Sequence, residues 1–339
     1  MEIEKLEEIL KDQPAYRLLQ AKTAIFKDLL DDWSQALFLP KELRVKLSSF
    51  CPLEIKGEVT DSLDKESAKA LMTLKDGLKI ETVLMKHRDG RKTICVSSQV
   101  GCPLGCLFCA TGKMGFKRNL TLSEIVSQVI FFARLLKDSA EKVTNLVFMG
   151  MGEPFLNSEN VLNTIKVLND KDGFNLGMRH ISISTVGITE GIEKLACENW
   201  QVNLAVSLHA PNNELRSKLI PVNEKYPLEK IFAAVNSYLL KTHRRVMFEY
   251  LLIDGVNDTD ENALQLSGLM KKPLYFVNLI PYNQTGYFKA SSPEKVKRFK
   301  EILESNGVAV TQRYRFGEEI EAACGQLAAK ETKLQPNCS

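Results

Sequence analysis

Three cysteines, Cys102, Cys106 and Cys109, fall within eight residues in the run Gly101-Cys102-Pro103-Leu104-Gly105-Cys106-Leu107-Phe108-Cys109. Thiolates are soft donors suited to iron–sulfur clusters. At this Cys-x-x-x-Cys-x-x-Cys spacing they can hold three irons of a [4Fe–4S] cube. The fourth iron then has no protein ligand and is open to a chelating molecule. The ligands must converge on one object, so they need a loop, and Pro103 and Gly105 supply its turns. Structural zinc is the competing reading. It takes four ligands in paired knuckles, and no second Cys/His pair with that spacing occurs in the chain.

The other five of the eight cysteines are Cys51, Cys95, Cys197, Cys324 and Cys338. Each, taken alone, reads as a small buried hydrophobe. A disulfide framework is not expected in a chain this long without an extracellular signature.

The elements that would position the cluster loop follow a βα rhythm. Strands are expected at residues 93–98, 145–150, 180–186, 202–209, 246–253 and 275–282, each rich in Val, Ile, Leu or Phe and bounded by turn residues. Amphipathic helices are expected over 157–169, 188–198, 228–242, 259–271 and 293–306. A further one starts at Thr121, where Thr-Leu-Ser-Glu forms a capping box with Glu124. Six βα units imply a parallel sheet flanked by helices, and the length favours a partial (βα)6 barrel in the α/β class. Sites in such folds collect at the C-terminal strand ends, which is where the cluster loop hangs. Residues 1–80 show helical spacing (Ile3, Leu6, Leu10; Ala24, Ile25, Leu29, Leu30) and are expected to form a small N-terminal helical accessory domain before a catalytic domain at 81–339.

Composition sets outer limits. The 339 residues are 44% hydrophobic and 26% charged, as in ordinary globular proteins. No run approaches the ~20 apolar residues that span a bilayer, and the acidic, amphipathic start is unlike a signal or transit peptide. A cytoplasmic protein without membrane association, and a monomer, are expected. The net charge of +3 divides as −2 in residues 1–80 and +5 beyond, compatible with an RNA partner without requiring one.

The cysteine motif after the first strand of a (βα)6 array resembles the radical-SAM superfamily, in which the open iron binds S-adenosylmethionine (SAM). Further segments narrow the resemblance: Cys95–Cys102 (CVSSQVGC), Gly115–Thr121 (GFKRNLT), Met149–Pro154 (MGMGEP), Ser207–Pro211 (SLHAP), Asn278–Asn283 (NLIPYN) and Ala322–Leu327 (AACGQL). Together, across residues 80–328, they resemble the RlmN/Cfr family of radical-SAM RNA adenine methyltransferases, and the RlmN branch in particular.

The resemblance implies a [4Fe–4S] cluster, two SAM molecules per turnover, and methylation of carbon 2 of an adenosine in 23S rRNA, with tRNA beside the anticodon as a further candidate substrate. An electron donor such as flavodoxin or ferredoxin is implied as well. Carbon 2 lies between two ring nitrogens and is electron-poor, so a radical can add to it where a cation cannot. By the same resemblance Cys324 carries the methyl group, Cys95 is the resolving thiol, and Glu81 is the proton acceptor. Gly152, Glu153, Ser184, Ser207, Leu208, His209 and Asn283 are implied SAM contacts. Methylation at carbon 8 of the same base is the sister activity, whose members carry Ala where this chain has Pro154. A non-catalytic, metal-containing RNA-binding module is the alternative from another class. Lys113, Lys117, Arg118, Arg313 and Arg315 flank the expected site and are candidate phosphate contacts.

Overall fold

A computed structural model describes residues 1–286, 288–313 and 317–329. Arg315 and Cys338 lie outside them.

The chain opens with three helices, α1 (Leu6–Leu10), α2 (Ala15–Phe26) and α3 (Lys41–Phe50). Pro14 and Pro40 stand directly before α2 and α3. The helical reading ends there. Residues expected to be helical up to position 80 instead include β1 (Gly57–Asp61) and β2 (Ser67–Thr73), followed by β3 (Lys79–Lys86), in an antiparallel meander. A local reason is the Asp76-Gly77 turn. Gly77 takes a positive φ, and Leu74 and Leu78 close the hairpin.

The meander joins the main sheet through β4 (Lys92–Cys95), antiparallel to β3 across the His87–Arg91 turn. After β4 the chain forms a two-stranded ribbon, β5 (Gln99–Gly101) and β6 (Phe116–Asn119), enclosing the cluster loop and a short helix, α4 (Ala110–Lys113). Regular alternation follows: α5 (Leu122–Lys137), β7 (Asn145–Phe148), α6 (Ser158–Asn169), β8 (Ile181–Thr185), α7 (Thr189–Cys197) and β9 (Asn203–Ser207). Then come α8 (Asn213–Leu219), α9 (Leu228–Thr242), β10 (Val246–Leu252), α10 (Asp260–Leu269), β11 (Tyr275–Pro281), α11 (Pro293–Ser305) and β12 (Val310–Gln312).

The main sheet has ten strands in the order β1-β2-β3-β4-β7-β8-β9-β10-β11-β12, parallel from β4 onward. All six expected strands are present. β12 is a seventh parallel strand that the sequence reading did not include. Among the described residues the two outer strands are not paired with each other, so the barrel is partial, as expected. The parallel strands bury residues of both faces, as in the consecutive pairs Leu204–Ala205, Tyr250–Leu251 and Leu279–Ile280, which explains their near-continuous apolar runs. Among the described residues no helix is long and apolar enough to cross a membrane.

Helix α5 begins with the expected capping box. Thr121 Oγ1 accepts from the Glu124 amide, and Glu124 Oε2 accepts from the Thr121 amide. Arg118 grips the same Glu124 at 2.8 Å and also Asp76 at 2.7 Å. It is therefore engaged by two carboxylates and is not a free phosphate contact. Thr121→Ala should lower stability by about 1 kcal/mol, measured as a shift in the urea midpoint at constant slope.

Candidate active site

The cluster loop is fixed by its backbone. Gly101 sits at φ +75°, and a Cβ there would come within 1.7 Å of the Gly115 carbonyl oxygen, so only glycine lets β5 and β6 pinch the loop shut. The Cys102 amide donates to that same carbonyl at 3.2 Å, and the Cys109 amide donates to Cys106 O at 3.1 Å. The Leu107 amide donates to Leu219 O at the end of α8. On the opposite side, Thr285 Oγ1 donates to Phe108 O and the Ala110 amide to Gly325 O.

Cys102, Cys106 and Cys109 line one cavity. Burial pushes the Cys102 thiol up to about 12 and Cys106 higher still, with neighbouring thiols adding to the effect. Iron bound there would offset this, since a coordinating thiol is deprotonated outright.

The same cavity holds Cys95, at the end of β4, and Cys324, on the loop after β12. Cys95 is 7% exposed. Burial first, and the nearness of Cys324 second, push its thiol up to about 12. Burial also raises Cys324, while the Arg313 guanidinium pulls it back. The Cys324 loop is tied to the strand-end region, because Asn283 Nδ2 donates to Cys324 O at 3.1 Å. Asn283 Oδ1 is buried with no partner among the described residues, an acceptor open to a ligand's donor.

The strand ends supply further polar groups. Gly152, at φ +97°, packs against Gln99 where a side chain would collide, so the backbone passes close to the cavity. Glu153 is buried and accepts from the Val186 amide at 2.8 Å and the Phe155 amide at 3.1 Å. Burial outweighs those bonds and lifts its carboxyl to about 7. Ser184 Oγ donates to Glu249 Oε2 at 2.7 Å, with Ser207 Oγ at 3.4 Å from the same oxygen. His209 has φ +59°, a strained setting for a non-glycine residue. Its Nδ1 accepts from the Leu251 amide at 3.0 Å, which places the proton on Nε2. Burial holds the ring neutral, with its pKa lowered to about 3. Leu208 does not line the cavity. Its side chain is fully buried, and its backbone amide and carbonyl bond to Glu249 O and Arg216.

Glu81 also lies away from the cavity. It is buried on β3 and pairs with Lys69 Nζ at 3.0 Å, both side chains being nearly inaccessible. Its Oε2 accepts from the Ala328 and Ala329 amides at 2.7 and 3.1 Å. The carboxylate thus anchors the segment that follows Cys324.

Two cavity residues went unrecognised in the sequence or were misread. Glu249 lies mid-strand in the run Val246–Leu252. A carboxylate inside an otherwise apolar strand is the signal that was available, because such burial needs a partner. Arg313 is expected from the sequence to flank the site as a phosphate contact. It reaches into the cavity instead, 3.5 Å from Glu249 Oε1. Lys113 donates to Thr285 O at 3.0 Å and remains exposed.

The donor set fits a cluster with an open iron and a polar ligand beside it: three free thiols, a carboxyl, two hydroxyls, a neutral imidazole N–H and an unpaired amide oxygen around one cavity. Comparison with known proteins gives the class. Residues 96–267 match the model of the radical SAM superfamily, so fold and site together define a radical-SAM protein. At the level of whole chains, a probable dual-specificity RNA methyltransferase RlmN from Dictyoglomus thermophilum is 44% identical over 97% of this chain and 95% of its own. A ribosomal RNA large subunit methyltransferase N from Nitrosopumilus maritimus is 47% identical over 96% of each. A radical SAM methyltransferase from Sphaerobacter thermophilus, known from a crystal structure, superposes with a TM-score of 0.93 at 46% identity, covering 96% of this chain and 97% of that one. The chain belongs to the RlmN family of radical-SAM methyltransferases.

Proposed function

We propose that this protein methylates carbon 2 of an adenosine in 23S rRNA, and in tRNA beside the anticodon, through a methyl group carried on Cys324. The observation that carries the reading is the gathering of five cysteines in one cavity, three on the cluster loop and two, Cys95 and Cys324, facing them. A non-catalytic RNA-binding module has no use for that pair.

When bound, the cluster and two SAM molecules supply a methyl group and a carbon-centred radical. The protein's own residues do the rest. Cys102, Cys106 and Cys109 hold the cluster. Gly152, Glu153, Ser184, Ser207, His209 and Asn283 form the wall that orients SAM, and Leu208 contributes only by fixing the strand end. Cys324 Sγ accepts the methyl carbon; one hydrogen atom of that methyl goes to the carbon-centred radical, and the remaining methylene carbon, still bonded to sulfur, joins the base, whose odd electron would return to the cluster. Glu81 accepts the ring proton once residues 328–329 withdraw from its carboxylate. Cys95 Sγ, as thiolate, then attacks Cys324 Sγ, the carbon–sulfur bond breaks with its electron pair going to the carbon, and that carbon takes up a proton, so that the base leaves as its methylated form with a Cys95–Cys324 disulfide behind. A thiol reductant must reopen that disulfide for the next turnover. The electron donor belongs to the flavodoxin or ferredoxin class, and the protein works as a cytoplasmic monomer.

Carbon 2 rather than carbon 8 is favoured by Pro154 after Gly-Met-Gly-Glu. RNA treated anaerobically with protein, SAM and a reductant should carry 2-methyladenosine, read by mass spectrometry of nucleosides. Methylation at carbon 8 alone overturns the regiochemistry, and absence of SAM cleavage overturns the enzyme.

A further inference from the structure

Arg216 on α8 is fully buried and has no carboxylate partner among the described residues. Its guanidinium donates only to neutral acceptors: Leu208 O at 3.1 Å, Asn223 Oδ1 at 2.7 Å, Tyr226 O at 3.2 Å, Ser207 O at 3.3 Å, and Val186 O. These bonds fasten the ends of β8 and β9, which explains an arginine but not a charge left unbalanced. A buried ion without a counter-ion costs several kcal/mol, and neutral carbonyls offset that only in part. A missing negative charge is therefore implied nearby.

The cluster loop is the adjacent element, bonded to α8 through the Leu107 amide and Leu219 O. Arg216 also donates to the carbonyls of Val186 and Ser207, two residues that line the cavity together with Cys106. A cubic iron–sulfur core with three thiolates is a net anion, and it becomes more negative on accepting an electron. In a water-poor setting a nearby fixed cation stabilises the more negative form most.

We propose that Arg216 is the counter-charge of the cluster and makes its one-electron reduction easier, beyond tying the strand ends together. This rests on the cluster reading of Cys102, Cys106 and Cys109. The electron comes from a low-potential one-electron donor of the flavin or iron–sulfur class and stays on the cluster, with no bond made or broken at Arg216. Arg216 is a positioning residue, because it touches neither RNA nor the reacting carbon.

The test uses full-length protein reconstituted with iron and sulfide, with no SAM or RNA present. Iron per chain is measured first, then the midpoint potential by electron paramagnetic resonance in a dithionite-poised titration. Arg216→Gln removes the charge. Asn223→Asp keeps the arginine and its bond but places a carboxylate against it, which neutralises the charge with little change of shape. Both should make reduction about tenfold less favourable, a fall of about 59 mV for a one-electron couple. Arg216→Lys keeps the charge and should stay near the wild-type midpoint. If Arg216→Gln does not fold, Asn223→Asp decides alone. An unchanged midpoint in Asn223→Asp at wild-type iron content overturns the proposal. Wild-type protein that assembles no cluster overturns the cluster reading instead, so the two failures are distinct.

Discussion

Cys95→Ser protein, supplied with SAM, a reductant and RNA under anaerobic conditions, should accumulate a covalent protein–RNA species that migrates as one band on a denaturing gel. Methylation of Cys324 and capture of the base do not involve Cys95, so both proceed. Release stalls, because a hydroxyl does not attack sulfur at a useful rate whereas a thiolate does. The thiol occupies a buried position at the end of β4, in the same cavity as Cys324, and serine fits there with little disturbance. The expected loss of turnover is about a thousandfold or more, the scale of removing a nucleophile. The band should vanish in the double variant that also lacks Cys324. Wild-type turnover by Cys95→Ser would return Cys95 to a packing role.

Removal of a cluster ligand should have an equally large effect at an earlier stage. Cys106→Ala leaves two thiols on the loop, and the reconstituted cluster and SAM cleavage should both be lost. Two other cysteines serve as controls with distinct surroundings. Cys51 is buried and its thiol donates to Glu2 O at 3.2 Å, while Cys197 is exposed at the end of α7. Cys51→Ala and Cys197→Ala should keep wild-type iron content, measured by colorimetric iron assay and the cluster's absorption. Iron lost in either control would show that the ligand set is wrong.

Much of this arrangement was readable from residue order. The six central strands are dense in apolar residues, and turn-forming residues such as Gly150, Gly187, Asp254 and Asn283 follow several of them within a few positions, so strands and strand-end residues are located together. The cluster loop was legible because its chemistry is local: three ligands and two turn formers within nine residues. The edges were less so. β1, with the sequence Gly-Glu-Val-Thr-Asp, is mostly exposed and polar, and β12 has only three residues. Neither carries the alternation that a buried strand imposes. The position of Glu81 depends on Lys69 across the β2–β3 pair and on a segment nearly 250 residues later. The sequence does not single out Arg216 and offers Arg313 only as a candidate phosphate contact, because burial of a single side chain is decided by the packing of distant elements and leaves no mark on its neighbours in sequence.

The bonds from Thr111 to Leu327 and from Ala328 and Ala329 to Glu81 join residues 216, 247 and 248 positions apart. On a ribosome, the cluster loop has emerged and its supporting strands have been made long before Cys324 exists. Closing loops of that length carries an entropic cost that is met only when both ends are otherwise ordered. The wall bearing Cys324, the proposed methyl carrier, is therefore the last part of the cavity to form during synthesis. A chain stopped short of it would carry all three thiols of the proposed cluster loop and lack Cys324.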